Sequence, residues 1–77
     1  MYMTVLDGKK GSSYYVKEMN LLHQVEIRLQ ALGLTIGTKI TILNNKRNGA
    51  VIFKVRGTRL AVGKEIAQAI QIGGDES

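Results

Sequence analysis

A switch of hydrophobic period at one glycine constrains what this chain can fold into more than any other feature. Before the switch, apolar residues recur with helical spacing up to Leu32. After it, from Lys39 onward, polar and apolar residues alternate as in a half-buried strand. Gly33 stands where the residue after a helix takes the left-handed conformation, which glycine adopts without a Cβ clash. We therefore expect a helix that ends at Gly33 and β structure after it.

The helix is predicted to run from Leu21 to Leu32. Asn20 precedes it and is a favourable N-cap, because its side-chain oxygen can accept a hydrogen bond from an otherwise unpaired backbone N–H of the first turn. Apolar residues then step by three, four and three positions, which places them on one stripe about 80° wide at 3.6 residues per turn. The residues predicted to face the core in this way are Leu22, Val25, Leu29 and Leu32.

Short apolar runs closed by turn-forming residues predict the strands. They are Ser13 to Met19 before the helix, and Ile40 to Leu43, Ala50 to Val55, Leu60 to Val62 and Ile70 to Ile72 after it. Gly37 supplies the turn into the second strand, and Gly63 to Ala69 leaves room for only a turn or two of helix. We expect the last strand to pair with the first and close a small barrel, which removes exposed sheet edges.

Alternation within the strands predicts which side chains face the core. Phe53 shares one face with Val51 and Val55, and Leu60 returns the chain to the same core. In the first strand two tyrosines are consecutive, at positions 14 and 15, so the pattern does not show which of them points inward. A β-bulge in that strand would fit this irregularity.

The length and the absence of cysteine bound the class of protein. With 77 residues and no cysteine, the chain has room for one domain, over residues 1–72, and for no disulfide or thiolate metal site. The polar tail, residues 73–77, offers nothing to bury and is expected to be disordered. No apolar run approaches the roughly 20 residues that span a bilayer, so we expect a cytoplasmic location.

The charge of this chain is unevenly distributed. The formal net charge is +5, and the segment between Glu26 and Glu65 carries eight basic residues and no acidic one. These residues are Arg28, Lys39, Lys46, Arg47, Lys54, Arg56, Arg59 and Lys64. Such a segment attracts a phosphate backbone, an anionic lipid surface or an acidic protein face, or it simply keeps a small domain in solution. Charge alone does not choose among these alternatives.

No constellation of catalytic residues occurs in the sequence. His23 and Glu26 are three residues apart on the predicted helix and could both reach one metal ion, but two ligands make a weak site, and there is no second histidine or cysteine to complete it. The glycines do not form a phosphate-binding loop. The sequence therefore predicts no cofactor, no established metal site and no enzyme activity.

Two segments resemble a known family. Val25 to Thr38, with Leu32-Gly33-Leu34-Thr35 and Gly37, and Val55 to Val62, with Arg56-Gly57 and Arg59-Leu60-Ala61, are similar to the ferrous iron transport protein A (FeoA) family. The resemblance implies a mainly β fold: a small SH3-like barrel with one inserted α-helix and a short C-terminal helical turn. It also implies a small bacterial cytosolic protein that assists the membrane ferrous iron transporter, FeoB, which carries a cytosolic GTP-binding domain. It carries over no catalytic residues.

The expected role is therefore binding to the cytosolic region of FeoB, with the membrane reached only through that partner and weak self-association left open. The residues predicted for this contact are Ile27, Arg28, Ala31, Lys46, Arg47, Arg56 and Arg59, which combine the outer face of the helix with the basic hairpins. A basic SH3-like module that binds nucleic acid is the alternative. The chain has few aromatic residues on which bases could stack, so nucleic-acid binding is not expected.

Overall fold

The computed structural model describes residues 3–46 and 48–74. Within these two ranges, six strands and two helices follow one another, with a 3₁₀ turn at Val5–Asp7 after the first strand. The elements are β1 Met3–Thr4, β2 Ser13–Met19, α1 His23–Ala31, β3 Lys39–Asn45, β4 Val51–Val55, β5 Thr58–Val62, α2 Lys64–Ala67 and β6 Ile70–Gly73. This confirms the predicted class, a small SH3-like β fold with one inserted helix and a short C-terminal helical turn.

The strands form one antiparallel sheet in the order β1-β6-β2-β3-β4-β5. The last strand pairs with β2, the predicted first strand, with Val16 opposite Ile72, as expected. On its other side β6 pairs with β1, a two-residue strand that the sequence pattern did not predict. Among the described residues no ladder joins β1 to β5, so these two strands form the edges of the sheet, and the prediction that strand pairing removes the edges was wrong.

The core lies on the inner face of this sheet. The side chains of Val51, Phe53 and Val55 are buried while Lys54 between them is exposed, which confirms the predicted faces of β4. Of the two tyrosines it is Tyr14 that is buried, and the register of β2 against β6 shifts between residues 16 and 18, as a bulge requires. Burial of each large apolar side chain contributes about 1.5–3 kcal/mol before ordering costs.

The helix is shorter than predicted, and its apolar stripe is only partly buried. Leu29 is 7% exposed and Val25 packs against the core, but Leu22 is 74% and Leu32 is 43% exposed. The core assignment of Leu22 and Leu32 was therefore wrong. Leu22 is the N-cap residue, with extended backbone at ψ 143°, and Leu32 is the C-cap residue, so neither continues the helical stripe. Leu21 and Leu34, on the flanking segments, pack against the core in their place.

Two boundary predictions also need correction. Asn20 does not cap α1, because the helix begins two residues later and the Asn20 N–H donates to the Ala69 carbonyl oxygen instead. Gly73 belongs to β6 rather than to the predicted tail, since it lies opposite Tyr15 in the β2–β6 ladder. The remainder of the predicted tail beyond Gly74 lies outside the described residues.

Candidate interaction surface

The end of α1 is built as a Schellman motif around one glycine. Gly33 has φ +102°, its N–H donates to the Gln30 carbonyl oxygen at 2.9 Å, and the Leu34 N–H donates to the Leu29 carbonyl oxygen at 3.0 Å. These two hydrogen bonds pair helix carbonyls that would otherwise lack partners. The motif turns the chain so that Leu34 is fully buried beside Leu29, while Leu32, the C-cap residue, points toward solvent.

The segment from the helix to β3 is a tight turn with an apolar tip. The Thr38 N–H donates to the Thr35 carbonyl oxygen at 3.1 Å, and the two threonine hydroxyls lie 2.6 Å apart. Gly37 has φ +88°, which gives a conformational reason for the glycine predicted there, and its N–H donates to the Val16 carbonyl oxygen of β2. Ile36 sits at this tip with 56% of its surface exposed.

The β4–β5 connection brings an arginine against the helix end. Val55 lies opposite Thr58, so Arg56 and Gly57 form a two-residue turn, and both have positive φ, at 49° and 80°, as a type I′ turn requires. Among the described residues, Arg56 alone adopts positive φ without being glycine. The Arg56 Nε–H donates to the Gly33 carbonyl oxygen at 3.3 Å.

Gly33 and Arg56 also touch through van der Waals contact, in addition to this hydrogen bond. A Cβ placed on Gly33 would lie 2.9 Å from Cδ of Arg56, which is closer than side chains normally approach. Gly33 is therefore required for two reasons, its left-handed backbone and the arginine stem that covers it. The guanidinium also lies near the C-terminal end of α1, where the helix dipole favours a positive charge.

The residues predicted for partner contact do not share one face. Ile27, 50% exposed, and Ala31, also exposed, lie on the outer side of α1, with Ile27 about 140° around the helix from Leu32 at 3.6 residues per turn. Lys46 is exposed in the β3–β4 connection, and Arg47 lies outside the described residues. Arg59 is exposed on β5, directly opposite Lys54 of β4. Of the predicted residues, Arg28, Ala31 and Arg56 lie close to the helix end.

Five exposed side chains lie on the segments that meet at the end of α1, and we call them the helix-exit surface: Arg28, Leu32, Ile36, Lys39 and Arg56. Arg28 lies in the last turn of α1, and Leu32 is the C-cap residue that follows this turn. Lys39 begins β3 just before Ile40, whose ladder partner Val55 just precedes Arg56. Sequence reasoning missed Ile36, although its position between Thr35 and Gly37 of a tight turn is a signal for exposure.

The weak metal candidates lie on α1. His23 is exposed at the first position of the helix, and Glu26 is half-buried and accepts a hydrogen bond from Gln30 Nε2 at 3.2 Å. Within residues 3–46 and 48–74, no three His, Asp or Glu side chains are grouped so that they could hold a metal ion. In the same part of the chain, neither helix has the length and apolar character to cross a bilayer.

Comparison with known proteins places the chain beside iron-transport proteins. Residues 3–73 match the FeoA domain. The "Putative Fe(2+) transport protein A" of Methanocaldococcus jannaschii is 31% identical over 65 residues, which cover 84% of this chain and 78% of that protein. A crystal structure described as iron uptake regulatory protein (FeoA) has a TM-score of 0.83 at 27% identity and is covered to 97%, against 95% of this chain. The solution structure of FeoA from Chlorobium tepidum has a TM-score of 0.85 at 27% identity, with 96% of this chain and 74% of that one covered.

Proposed function

Because this chain belongs to the FeoA domain family, we propose that it is a small cytoplasmic accessory protein of ferrous iron uptake. In this proposal it binds the cytosolic region of the membrane ferrous iron transporter, FeoB, and regulates the assembly or activity of that transporter. The single observation that carries the proposal is the family match, which spans residues 3–73 and so includes nearly the whole chain.

A binding role, rather than a catalytic one, agrees with the chemistry on the surface. The helix-exit surface combines exposed apolar side chains with cations, a composition suited to contact with another protein. The paired cations Lys54 and Arg59 on the outer face of the sheet add to the positive field. A long-range positive field raises the rate of encounter with an acidic partner without any reacting group.

The proposal is tested by titrating the full-length protein with the purified cytosolic region of FeoB from the same genome, in calorimetry, with GDP and with a non-hydrolysable GTP analogue. We expect saturable binding in at least one nucleotide state. We also expect the GTP hydrolysis rate, or the oligomeric state of the transporter in detergent, to change when the protein is added. No heat of binding in either state at two temperatures would refute the proposal, because the enthalpy of a real contact changes with temperature.

The nucleic-acid alternative is less well supported by the positions of the aromatic residues. Phe53 is fully buried, and Tyr14 is buried with its hydroxyl oxygen accepting a hydrogen bond from the Lys9 N–H at 3.0 Å. Of the aromatic side chains in the described part of the chain, only Tyr15 is partly accessible for stacking on a base. Oligonucleotide binding that falls steeply between low and moderate salt would favour this alternative over the proposed function.

A further inference from the structure

Two large apolar side chains of the helix-exit surface, Leu32 and Ile36, are exposed to water, and the leucine between them in sequence is buried. Leu32 and Ile36 are among the most exposed large apolar residues of the described chain, although Leu34 between them is fully buried. The Schellman motif and the Thr35–Thr38 turn hold them there, because both connections are closed by backbone hydrogen bonds. Covering such side chains is favourable in proportion to the apolar area removed from water.

Every ionisable side chain of the same surface is a cation. Arg28, Lys39 and Arg56 are exposed, and none of them is ion-paired with a carboxylate in the described part of the chain. The acidic residue nearest in sequence, Glu26, lies about 120° around α1 from Leu32 at 3.6 residues per turn and is bonded to Gln30. The surface therefore complements a ligand that carries negative charge.

Arg56 is held so that the rest of its guanidinium faces outward. Its only hydrogen bond among the described residues uses Nε, which leaves the four N–H groups of the two Nη atoms as donors for a ligand. Its backbone has positive φ, which is unfavourable for arginine, at a turn position where asparagine or glycine is the favoured residue. A carboxylate is a planar acceptor that matches this fork of donors.

We propose that the helix-exit surface binds an acidic, apolar segment of a protein partner, with a carboxylate on the Nη atoms of Arg56 and an apolar side chain between Leu32 and Ile36. The inference rests on the proposed function, since the segment then belongs to the cytosolic region of FeoB. A protein segment is favoured over a lipid surface, because Leu32 and Ile36 are two separate side chains and not the continuous apolar helix face that enters a headgroup region.

The test uses the full-length protein, the cytosolic region of FeoB as the probe, and two substitutions on the helix-exit surface with a matched control for each. Ile36→Glu is matched by Ile27→Glu, which introduces the same charge at a similarly exposed isoleucine on the outer side of α1. Arg56→Asn is matched by Arg59→Asn on β5. We expect the first of each pair to weaken binding at least about tenfold, and each control to stay within about threefold, because a few central side chains dominate an interface.

Arg56→Asn separates a binding role from a structural one. Asn-Gly is the dipeptide that type I′ turns favour, so this variant should fold and its unfolding temperature should be close to that of the wild type. A protein that unfolds normally but binds at least about tenfold more weakly has lost a contact with the partner rather than its turn. Normal folding with undiminished affinity would overturn the proposed role of the guanidinium.

The remaining outcomes distinguish this inference from the proposed function. If the wild type binds the FeoB region and Ile36→Glu binds equally well, or if Ile27→Glu is weakened as much as Ile36→Glu, the helix-exit surface is not the docking site and the proposed function stands. If the wild type does not bind that region, both are overturned. Binding to phosphatidylglycerol vesicles that is lost in Arg56→Asn, without binding to FeoB, would identify a lipid surface instead.

Discussion

At the scale of single residues, the most consequential contact joins two positions 23 apart in the chain. Gly33 ends the helix and Arg56 begins the β4–β5 turn, and the two residues are in direct contact. The glycine leaves room for the arginine stem, and the arginine pairs the Gly33 carbonyl oxygen. Two motifs that look like separate turn signals in the sequence are therefore one structural unit.

A glycine-to-alanine comparison tests this unit. Gly57→Ala should cost about 1–2 kcal/mol of unfolding free energy, because φ is positive there but a Cβ would meet nothing within 4 Å. Gly33→Ala should cost about 0.5–1.5 kcal/mol more, because the added Cβ must also push the exposed Arg56 stem away from its rotamer. Urea unfolding monitored by circular dichroism measures both. Equal losses would show that the arginine contact has no energetic weight.

The double variant Gly33→Ala/Arg56→Ala checks the cause of the extra loss. With the arginine stem removed, the added Cβ has nothing to displace at this contact, so the two changes should couple favourably. We expect the double variant to lose less unfolding free energy than the sum of the two single variants. Strict additivity would place the cost of Gly33→Ala in the backbone alone.

At the scale of elements, the stability of α1 depends on the segments at its two ends. A nine-residue helix is shorter than the roughly 12–15 residues that isolated helices need in water, so tertiary contacts must stabilise it. Leu29 is the one buried residue of the helix, and Leu21 and Leu34 attach the chain to the core just before and just after it. The helix is therefore fixed by one central side chain and by the segments that flank it.

Leucine truncations at two positions of this region test that reading. Leu29→Ala should lower the free energy of unfolding by about 2–5 kcal/mol, because a cavity is left in a packed site. Leu22→Ala should change it by no more than about 0.5 kcal/mol, because most of that side chain is already in water. Thermal and urea unfolding of the two variants give the comparison. A large loss of unfolding free energy in Leu22→Ala would show that the Leu22 side chain packs in the core after all.

At the scale of the whole molecule, the sheet is strong in its middle and weak at one edge. β3 and β4 pair with strands on both sides, whereas β1 contributes only two residues and pairs on one side. Buried Ile40, Ile42 and Phe53 lie on β3 and β4, which are interior strands of the sheet. Opening of the edge strand exposes little apolar surface, but opening of the centre exposes the core.

Native-state hydrogen exchange should therefore show different protection of the backbone amides in different strands of the sheet. We expect the ladder amides of β3 and β4 to exchange only by global unfolding, with a free energy equal to that from urea unfolding. Amides bonded between β1 and β6 should exchange faster by local opening, with a free energy that does not depend on low concentrations of urea. The measurement is a set of two-dimensional NMR spectra after transfer to D₂O. Uniform protection across all six strands would contradict this gradient.

The features that could be predicted from the sequence are those that depend on interactions between residues close together in the chain. The type and order of most elements, the bounds of β2 and the inward face of β4 depend on neighbouring residues, because the period-2 alternation and the turn residues act locally. Asn20 and Leu22 were misassigned because the helix begins two residues later than its cap signal, at a point where Asn20 is bonded to Ala69 far along the chain.

The candidate site shows the same division. The sequence by itself determined the cationic middle segment, the family resemblance and the glycines at the helix end and the hairpin turns, because these are properties of composition and of local backbone conformation. Only the tertiary structure decided that Arg56 covers Gly33 and that Leu32 stays exposed. The physical reason is that exposure and contact depend on which distant segments pack together, and no local pattern records that packing.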